Sequence, residues 1–207
     1  VKKGDVIGTL AWNTHRHLES WYGITGLGAI YHTLNPRLFI EQLDYIINHA
    51  DNKFIISDIS FVEILESLQD KIPNVQGFIF LCEKSDLPDS RLKNVYSYEE
   101  LVNSQDDNFE WVKLEENDAC GLCYTSGTTG NPKGVLYSHR SNVLHTLVAN
   151  SADAMGIKST DVVMPVVPMF HANAWGLSFS APMSGCKVVM PGMNMDGESI
   201  YELLNDH

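Results

Sequence analysis

Three features of the sequence predict an α/β fold, built from mostly parallel sheets with helices on both faces. Short apolar runs typical of buried strands alternate along the whole chain with segments whose apolar residues recur at helical spacing. At 207 residues the chain is long enough to bury a substantial core. Apolar residues make up 44% of it and charged residues 19%, a balance typical of a folded globular protein.

The first half of the chain alternates between the two kinds of segment. Asn13 and Thr14 are candidate caps for the first helix, and Asn35 followed by Pro36 is typical of the start of the second. In order, the predicted elements are a strand at 6–11, a helix at 15–28, a helix that begins at 35–36, a strand at 54–57, a helix at 61–68 and a strand at 77–82.

The second half follows a polar, acidic stretch over residues 103–118, which is the best candidate for a surface connection. The predicted elements after it are strands at 119–124 and 135–137, a helix at 140–155, strands at 161–165 and 186–190, and a helix at 196–204. No internal repeat interrupts this alternation.

Composition excludes several classes of protein. The formal net charge of −12 repels nucleic acids and anionic membranes, so a polyanionic ligand needs a local binding site. No apolar run approaches the roughly 20 residues that span a bilayer, and the N-terminal residues lack the apolar region of a secretory signal. Four scattered cysteines do not suggest a disulfide framework, so a reducing cytoplasm is expected.

Residues 124–134, with the sequence YTSGTTGNPKG, have the composition of a phosphate-binding loop. Glycines allow successive backbone N–H groups to turn toward one anion, and four hydroxyl side chains and Lys133 add further donors. Charge-assisted hydrogen bonds contribute roughly 1.5–3 kcal/mol each, so a few of them would hold a triphosphate in an acidic protein. The loop does not match the Walker A pattern. Composition alone leaves a Gly/Thr-rich surface turn without a ligand as an alternative.

The full string resembles the phosphate loop of the adenylate-forming superfamily, which includes acyl-CoA synthetases, firefly luciferase and the adenylation domains of peptide synthetases. Every fixed position of that family's YTSGTTGxPKG pattern is met, with Asn131 at the free position. The resemblance implies that Mg²⁺ is held with help from Thr125. It also implies that the ATP phosphates are bound by Thr125, Ser126, Gly127, Thr128, Thr129, Gly130 and Lys133.

Residues 164–176, with the sequence MPVVPMFHANAWG, carry a histidine and a tryptophan four positions apart. At helical spacing such residues share one face and would line one cavity, although a buried aromatic pair in the core is the simpler reading of these residues alone. The PMFH segment resembles the next motif of the same superfamily and lies at the expected separation. The resemblance implies that His171 is a wall or polar contact near the reacting carboxylate. It also implies that Trp175 gates a fatty-acid tunnel.

Further segments resemble the bacterial branch of fatty acyl-CoA and methylmercaptopropionate-CoA ligases, and they are residues 12–18, 34–38 and 191–199. The implied reaction joins a medium- or long-chain fatty acid to AMP from ATP and then transfers the acyl group to coenzyme A. The implied partners are therefore ATP with Mg²⁺, a carboxylic acid and coenzyme A, with no nucleic acid. Family analogy suggests a homodimer, and a cytoplasmic location that includes the membrane periphery.

The resemblance covers residues 1–207 as part of the large N-terminal domain of the acyl-CoA synthetase and luciferase fold. The sequence contains no YGxTE-like motif, no ribose-binding TGD segment and no small domain with a catalytic lysine, all of which the family uses. We therefore assign no catalytic residue within residues 1–207, and we expect no ligase activity from them alone.

Other interpretations remain at this stage. Within the enzyme class, the alternatives are a ligase for a short thioether acid such as methylmercaptopropionate, a ligase for an aryl acid, and a luciferase-like oxygenase. Outside that class, the chain would be a nucleotide-binding module without catalysis. Cys120 and Cys123 have the spacing of a metal or redox pair, but no second pair accompanies them, so core packing is favoured.

Overall fold

The computed structural model describes residues 1–125 and 131–207 of the chain. Its strands are β1 (Val6–Leu10), β2 (Ile30–Thr33), β3 (Asn52–Ser57), β4 (Phe78–Phe80), β5 (Val95–Ser97), β6 (Ala119–Thr125), β7 (Lys133–Ser138), β8 (Val162–Val163) and β9 (Lys187–Val188). Its α-helices are α1 (His15–Gly26), α2 (Ile40–His49), α3 (Val62–Leu68), α4 (Tyr98–Asn103), α5 (His139–Ala149), α6 (Leu177–Ser184) and α7 (Gly197–Asp206).

Strands β1 to β7 form one sheet in the order β5-β4-β3-β1-β2-β6-β7. Every neighbouring pair is parallel except the last, in which β7 returns antiparallel to β6. Strands β8 and β9 form a separate parallel pair. The prediction of a mostly parallel α/β architecture is therefore confirmed.

Helices cover both faces of the large sheet, as predicted. On one face, α2 and α3 pack on the sheet in a cluster whose buried members include Leu10, Leu43, Ile46, Ile55, Leu65 and Phe80. On the other face, α1 packs in a second cluster that includes Ile7, Trp21, Ile24, Tyr31 and Ile56. The neighbours Ile55 and Ile56 fall in different clusters because side chains alternate across a strand.

The start of α2 differs from the prediction. The helix begins at Ile40, after an N-cap at Phe39, and Asn35 lies outside it. The side chain of Asn35 accepts a hydrogen bond from the backbone N–H of Arg37 at 2.9 Å, which is the local turn that asparagine commonly forms. The Asn-Pro pair therefore forms a turn after β2 and does not cap a helix.

The parallel arrangement places the C-terminal ends of β1, β2 and β6 at one edge of the sheet. The turn that contains Asn35 follows β2 there, and β6 ends with Thr125 at the same edge. Ligands of open α/β sheets commonly bind beyond this edge. In the part of the chain that the structure describes, no helix has both the length and the apolar character needed to cross a membrane.

Candidate functional site

The predicted phosphate loop is closed at its base by the β6–β7 hairpin. The two strands pair antiparallel, with Thr125 opposite Lys133 and Tyr124 opposite Gly134. The Thr125 hydroxyl donates to the backbone carbonyl of Lys133 at 3.5 Å. The central residues of the loop, 126–130, lie outside the described residues. The hairpin therefore fixes the two points at which the loop leaves and rejoins the sheet. Both points lie at the edge formed by the C-terminal ends of the parallel strands.

Both sequence motifs line one cavity at this edge, with a volume of about 220 Å³. Thr125 and Pro132 contribute from the flanks of the phosphate loop, and Phe170 and His171 contribute from the second motif. The turn after β2 supplies a third wall through Asn35 and other residues. Residues about 40 positions apart in the sequence are thus brought together in one cavity.

The hydroxyl of Tyr124, the first residue of the loop motif, is held by α2. It forms a hydrogen bond of 2.6 Å with Nδ1 of His49, whose ring stacks on Tyr45. Burial raises the pKa of Tyr124 above its usual value, so this phenol stays neutral at physiological pH. Lys133 is exposed, and no described residue forms an ion pair with it. Lys133 is the only cationic residue of the 124–134 sequence and is free to pair with a ligand.

A short turn presents Phe170 and His171 to the cavity. The backbone N–H of His171 donates to the carbonyl of Pro168 at 2.9 Å, which closes the turn. The buried Phe170 ring packs edge-on against Trp12, with centroids 6.2 Å apart, and the guanidinium of Arg37 lies 5.9 Å from its centroid. His171 itself is exposed. One side of the turn is therefore fixed in aromatic packing, while the imidazole remains accessible.

Trp175 lies beside a different cavity, because the backbone between it and His171 is not a right-handed helix. Residues 172–175 have φ angles of 46°, 54°, 51° and 56°, the left-handed region that non-glycine residues rarely adopt. The indole is 62% exposed and lines a second cavity of about 490 Å³ together with Tyr137, His145 and Phe179. The expected helical sharing of one face by His171 and Trp175 is therefore not found, although Ala172 lines both cavities.

Two groups near the site were not singled out from the sequence. Asn35 lines the first cavity, and Tyr137 lines both. The only sequence signal for the former was that residues 34–38 resemble a ligase segment. Tyr137 gave no signal, since a tyrosine in a short strand is ordinary β-sheet composition.

Cys120 and Cys123 are both buried, unpaired residues of β6. Burial raises the pKa of the Cys120 thiol to about 12, so it stays protonated and unreactive at neutral pH. Among residues 1–125 and 131–207, no group of three His, Cys, Asp or Glu side chains is arranged to hold a metal ion. The donors that line the first cavity include the Thr125 hydroxyl and no carboxylate. An oxygen donor of this kind fits Mg²⁺, which takes oxygen ligands.

The chain belongs to the AMP-binding enzyme family, whose sequence profile matches residues 1–207. It is 46% identical over 200 residues to a medium-chain-fatty-acid–CoA ligase from Ectopseudomonas oleovorans, covering 97% of this chain and 37% of that protein. It is 47% identical over 203 residues to a 3-methylmercaptopropionyl-CoA ligase from Ruegeria lacuscaerulensis, covering 98% and 38% respectively. The chain thus spans little more than a third of the length of these relatives. The resemblance that residues 124–134 and 164–176 carry is confirmed.

Solved structures agree on the fold. An anthranilate CoA ligase in complex with anthranoyl-AMP superposes with a TM-score of 0.85 at 23% identity, covering 100% of this chain and 39% of that one. A long-chain-fatty-acid-CoA ligase from Archaeoglobus fulgidus gives a TM-score of 0.84 at 24% identity, again over 100% of this chain and 39% of the other. The predicted fold, part of the acyl-CoA synthetase N-terminal domain, is therefore confirmed.

Proposed function

We propose that the protein containing this chain is an AMP-forming acid–CoA ligase that activates a medium- or long-chain fatty acid. The acid carboxylate displaces pyrophosphate from ATP to give an acyl-AMP, and the thiol of coenzyme A then displaces AMP to give the acyl-CoA. A medium-chain-fatty-acid–CoA ligase at 46% identity and a 3-methylmercaptopropionyl-CoA ligase at 47% identity support the reaction class. Within this activity, the chain contributes the phosphate loop and one wall of the acid site.

One observation carries the proposal: the flanks of the phosphate loop and the Phe170–His171 turn line the same 220 Å³ cavity. Adenylation requires a carboxylate oxygen to approach the α-phosphate of ATP, so groups that bind the two substrates must lie side by side. The structure brings the two sets of motif residues together although nothing in their spacing requires it.

The residues have distinct proposed roles. Lys133 and the N–H and hydroxyl groups of residues 125–130 bind the ATP phosphates, and Thr125 also helps hold the Mg²⁺ that arrives with ATP. Mg²⁺ held there would supply positive charge to offset the negative charge that develops as pyrophosphate leaves. His171 provides a polar contact near the carboxylate. Trp175 borders the path of the acyl chain, where each buried CH₂ contributes about 0.8 kcal/mol, so chain length can be distinguished by burial.

A short thioether acid is the second candidate substrate. The observation in its favour is the 3-methylmercaptopropionyl-CoA ligase relative, which is as similar to this chain as the medium-chain ligase is. Residues that determine the acid can lie in the part of the protein that this chain does not cover, so the two candidates share every feature described above.

The remaining parts of the active site are proposed to lie outside residues 1–207, including an acidic Mg²⁺ ligand and a catalytic lysine. The chain alone is accordingly proposed to be inactive, which a pyrophosphate-exchange assay on it with several fatty acids would test. By family analogy we also propose a homodimer that works in the cytoplasm or at the membrane periphery.

The direct test is a series of carboxylic acids offered to the full-length protein, with pyrophosphate or AMP release as the readout. The series should include straight-chain acids from C4 to C18, 3-methylmercaptopropionate and benzoate. A maximum at C6 to C16 supports the fatty-acid proposal, and a maximum at 3-methylmercaptopropionate supports the second candidate. If ATP binds but no acid releases pyrophosphate, the protein is a nucleotide-binding module and the proposal fails.

Lys133→Ala tests the phosphate role. Loss of a charge-assisted contact worth about 1.5–3 kcal/mol should lower kcat/KM for ATP roughly 10- to 150-fold. Lys158→Ala is the matched control, because Lys158 is also exposed and lines neither cavity. Equal kinetics for the two variants would remove Lys133 from the site.

Trp175→Ala tests the gate. Removal of the indole should move the preferred chain length by two or more carbons while the KM for ATP stays within about twofold. Trp111→Ala is the control, since Trp111 is 72% exposed and lines neither cavity. An unchanged acid profile in Trp175→Ala would show that the indole does not border the acyl path.

A further inference from the structure

Asn13 links the start of α1 to the segment that precedes His171. It follows β1, directly before the N-cap of α1, and is only 1% exposed. Its side-chain N–H groups donate to the carbonyls of Pro165 at 2.7 Å and Val167 at 3.0 Å. Its side-chain oxygen accepts from the backbone N–H of Met169 at 2.7 Å. One carboxamide thus binds three alternate residues of the second motif, more than 150 positions away in sequence.

The bound segment has few other means of holding its shape. Strand β8 ends at Val163, so residues 164–168 lie beyond the β8–β9 ladder. Pro165 and Pro168 have no N–H to donate. Buried backbone carbonyls need a hydrogen-bond partner. The Asn13 side chain donates to two carbonyls of this segment, those of Pro165 and Val167. The path of these residues is therefore specified mainly by a single side chain of the segment between β1 and α1.

The next residues along the chain are those that line the cavity. Met169 is fully buried, and its N–H is held by Asn13. The N–H of His171 is held in turn by Pro168, which lies between two residues that Asn13 binds. A backbone fixed at 165, 167 and 169 leaves little freedom at 170 and 171. The main chain of Asn13 adds a further contact, since its carbonyl accepts from the N–H of Gly192 at 3.0 Å.

We infer that Asn13 is a positioning residue for the acid side of the reaction: its carboxamide sets the 165–169 backbone so that Phe170 and His171 face the cavity shared with the phosphate loop. The expected effect of Asn13 on the rate of acid activation rests on the proposed function. A misplacement of about 1 Å in a reacting group can lower activity roughly 100-fold, so a residue that never touches substrate can govern the rate. Among the described residues, the Asn13 side chain forms no hydrogen bond with the phosphate loop, so its substitution should affect the kinetics of the acid and not those of ATP.

Asn13→Asp and Asn13→Ser in the full-length protein test the inference. Aspartate has the same shape and still accepts from Met169, but it cannot donate and places a charged oxygen against two carbonyls. We expect kcat/KM for the acid to fall 10- to 100-fold in Asn13→Asp, with the KM for ATP within twofold of wild type. Asn13→Ser is the milder variant for the case in which the aspartate protein does not fold, with an expected loss of about 3- to 10-fold.

Ser97→Ala is the matched control for a purely structural loss. Ser97 is fully buried in β5, the outermost strand of the sheet on the side opposite β7. Its hydroxyl donates to the Cys82 carbonyl at 2.8 Å. Ser97→Ala should lower the melting temperature, but it should not change kcat/KM for the acid selectively while the KM for ATP stays constant. If the Asn13 variants behave in the same way, with both constants changed together or neither changed, Asn13 is only a stabilising residue and the inference is wrong.

Hydrogen exchange provides a readout that does not depend on the reaction. The amide protons of Met169 and His171 should be protected in the wild-type protein, and both should exchange at least 10-fold faster in Asn13→Ser than in Ser97→Ala. Unchanged protection would overturn the positioning role even if activity were lost. If the wild-type protein activated no acid at all, the proposed function would fail, while this measurement would still decide the role of Asn13.

Discussion

Helices α2 and α5 are nearly equal in length, at ten and eleven residues, yet they bury very different surfaces. Three apolar side chains of α2 are at most 1% exposed, and these are Leu43, Ile46 and Ile47. Four apolar side chains of α5 are between 47% and 68% exposed, and these are Val143, Leu144, Leu147 and Val148. The first helix forms part of a core, whereas the second contacts the rest of the described structure through smaller side chains such as Thr146 and Ala149.

The same contrast separates residues 1–125, which we call the scaffold, from residues 131–207, which we call the motif segment. One apolar cluster is drawn wholly from the scaffold for its buried members, and the other takes only Met169 and Ala174 from the motif segment. The motif segment also carries the left-handed backbone at 172–175. Residues with proposed roles in binding the acid thus lie on the less buried part of the molecule. Their positions depend on specific polar contacts to the scaffold.

The largest effect of a single substitution should separate the two helices directly. Leu43→Ala removes a fully buried side chain and leaves a cavity, so it should lower the free energy of unfolding by about 2–5 kcal/mol. Leu147→Ala, at 54% exposure, should change it by less than about 0.5 kcal/mol. Urea unfolding of the chain, followed by circular dichroism, measures both. A cost of 2 kcal/mol or more for Leu147→Ala would mean that the apolar side of α5 is covered in solution.

The scaffold should also make stability depend on pH. His17 and His32 are fully buried, and burial lowers the pKa of each to about 4. His17 accepts at Nε2 from the indole N–H of Trp21 at 3.0 Å, so a proton on that nitrogen would face another donor. In the unfolded chain both side chains titrate near pH 6.5. Between pH 6.5 and 4 the unfolded chain therefore binds protons that the folded chain does not.

Stability should accordingly fall as pH decreases from 6.5 toward 4, by on the order of 3 kcal/mol per histidine over the whole range. Urea unfolding at pH 7.5, 6 and 5 tests this expectation. His17→Gln, which keeps an acceptor for Trp21, should reduce the slope by about half. A free energy of unfolding that stays constant between pH 7.5 and 5 would contradict the buried, neutral state of both histidines.

Much of the scaffold could be predicted because its signals are local. Apolar runs and helical spacing located β1, β3, β4, α1 and α3 to within a few residues. Strand β2 was missed because a polar pair, His32 and Thr33, occupies half of it and is nonetheless buried. Burial there comes from pairing with β1 and β6 on both sides, which is a long-range property that a local pattern does not contain.

The sequence motifs predicted which residues belong to the site, but not how these residues are arranged in space. Lys133 lies in β7 at the end of the phosphate-loop motif, and Phe170 and His171 line the cavity at the same sheet edge, while the ligand contacts of Lys133 and His171 stay predictions. The predicted phosphate ligands Ser126, Gly127, Thr128, Thr129 and Gly130 lie outside the described residues, so their role stays a prediction. The separation of His171 from Trp175 could not be foreseen, because four successive left-handed residues have no sequence signature when only Asn173 among them favours that conformation.

A glycine pair tests the contact between scaffold and motif segment. A Cβ at Gly121 of β6 would overlap the ring of Tyr31, whose hydroxyl accepts from the side chains of Asn142 and Asn173 at 3.4 and 3.3 Å. Gly121→Ala should therefore cost about 1–3 kcal/mol through overpacking. A Cβ at Gly23, inside α1, meets nothing within 4 Å. Gly23→Ala should stabilise the chain by about 0.5–1 kcal/mol. Thermal or urea unfolding gives both values, and a neutral Gly121→Ala would show that Tyr31 can move without cost.

The smallest effect concerns the strained turn of the motif segment. Ala172 is exposed with φ of 46°, a conformation that costs an alanine roughly 1–2 kcal/mol. Ala172→Gly removes that cost but makes the unfolded chain more flexible, so a net gain of about 0.5 kcal/mol is expected. Ala152→Gly is the matched control, because Ala152 is exposed but does not have a positive φ, and its substitution should instead cost about 0.4–1 kcal/mol. Opposite signs for the two alanines in urea unfolding would locate backbone strain beside His171, whereas a loss in both would mean that residue 172 relaxes to a right-handed conformation in solution.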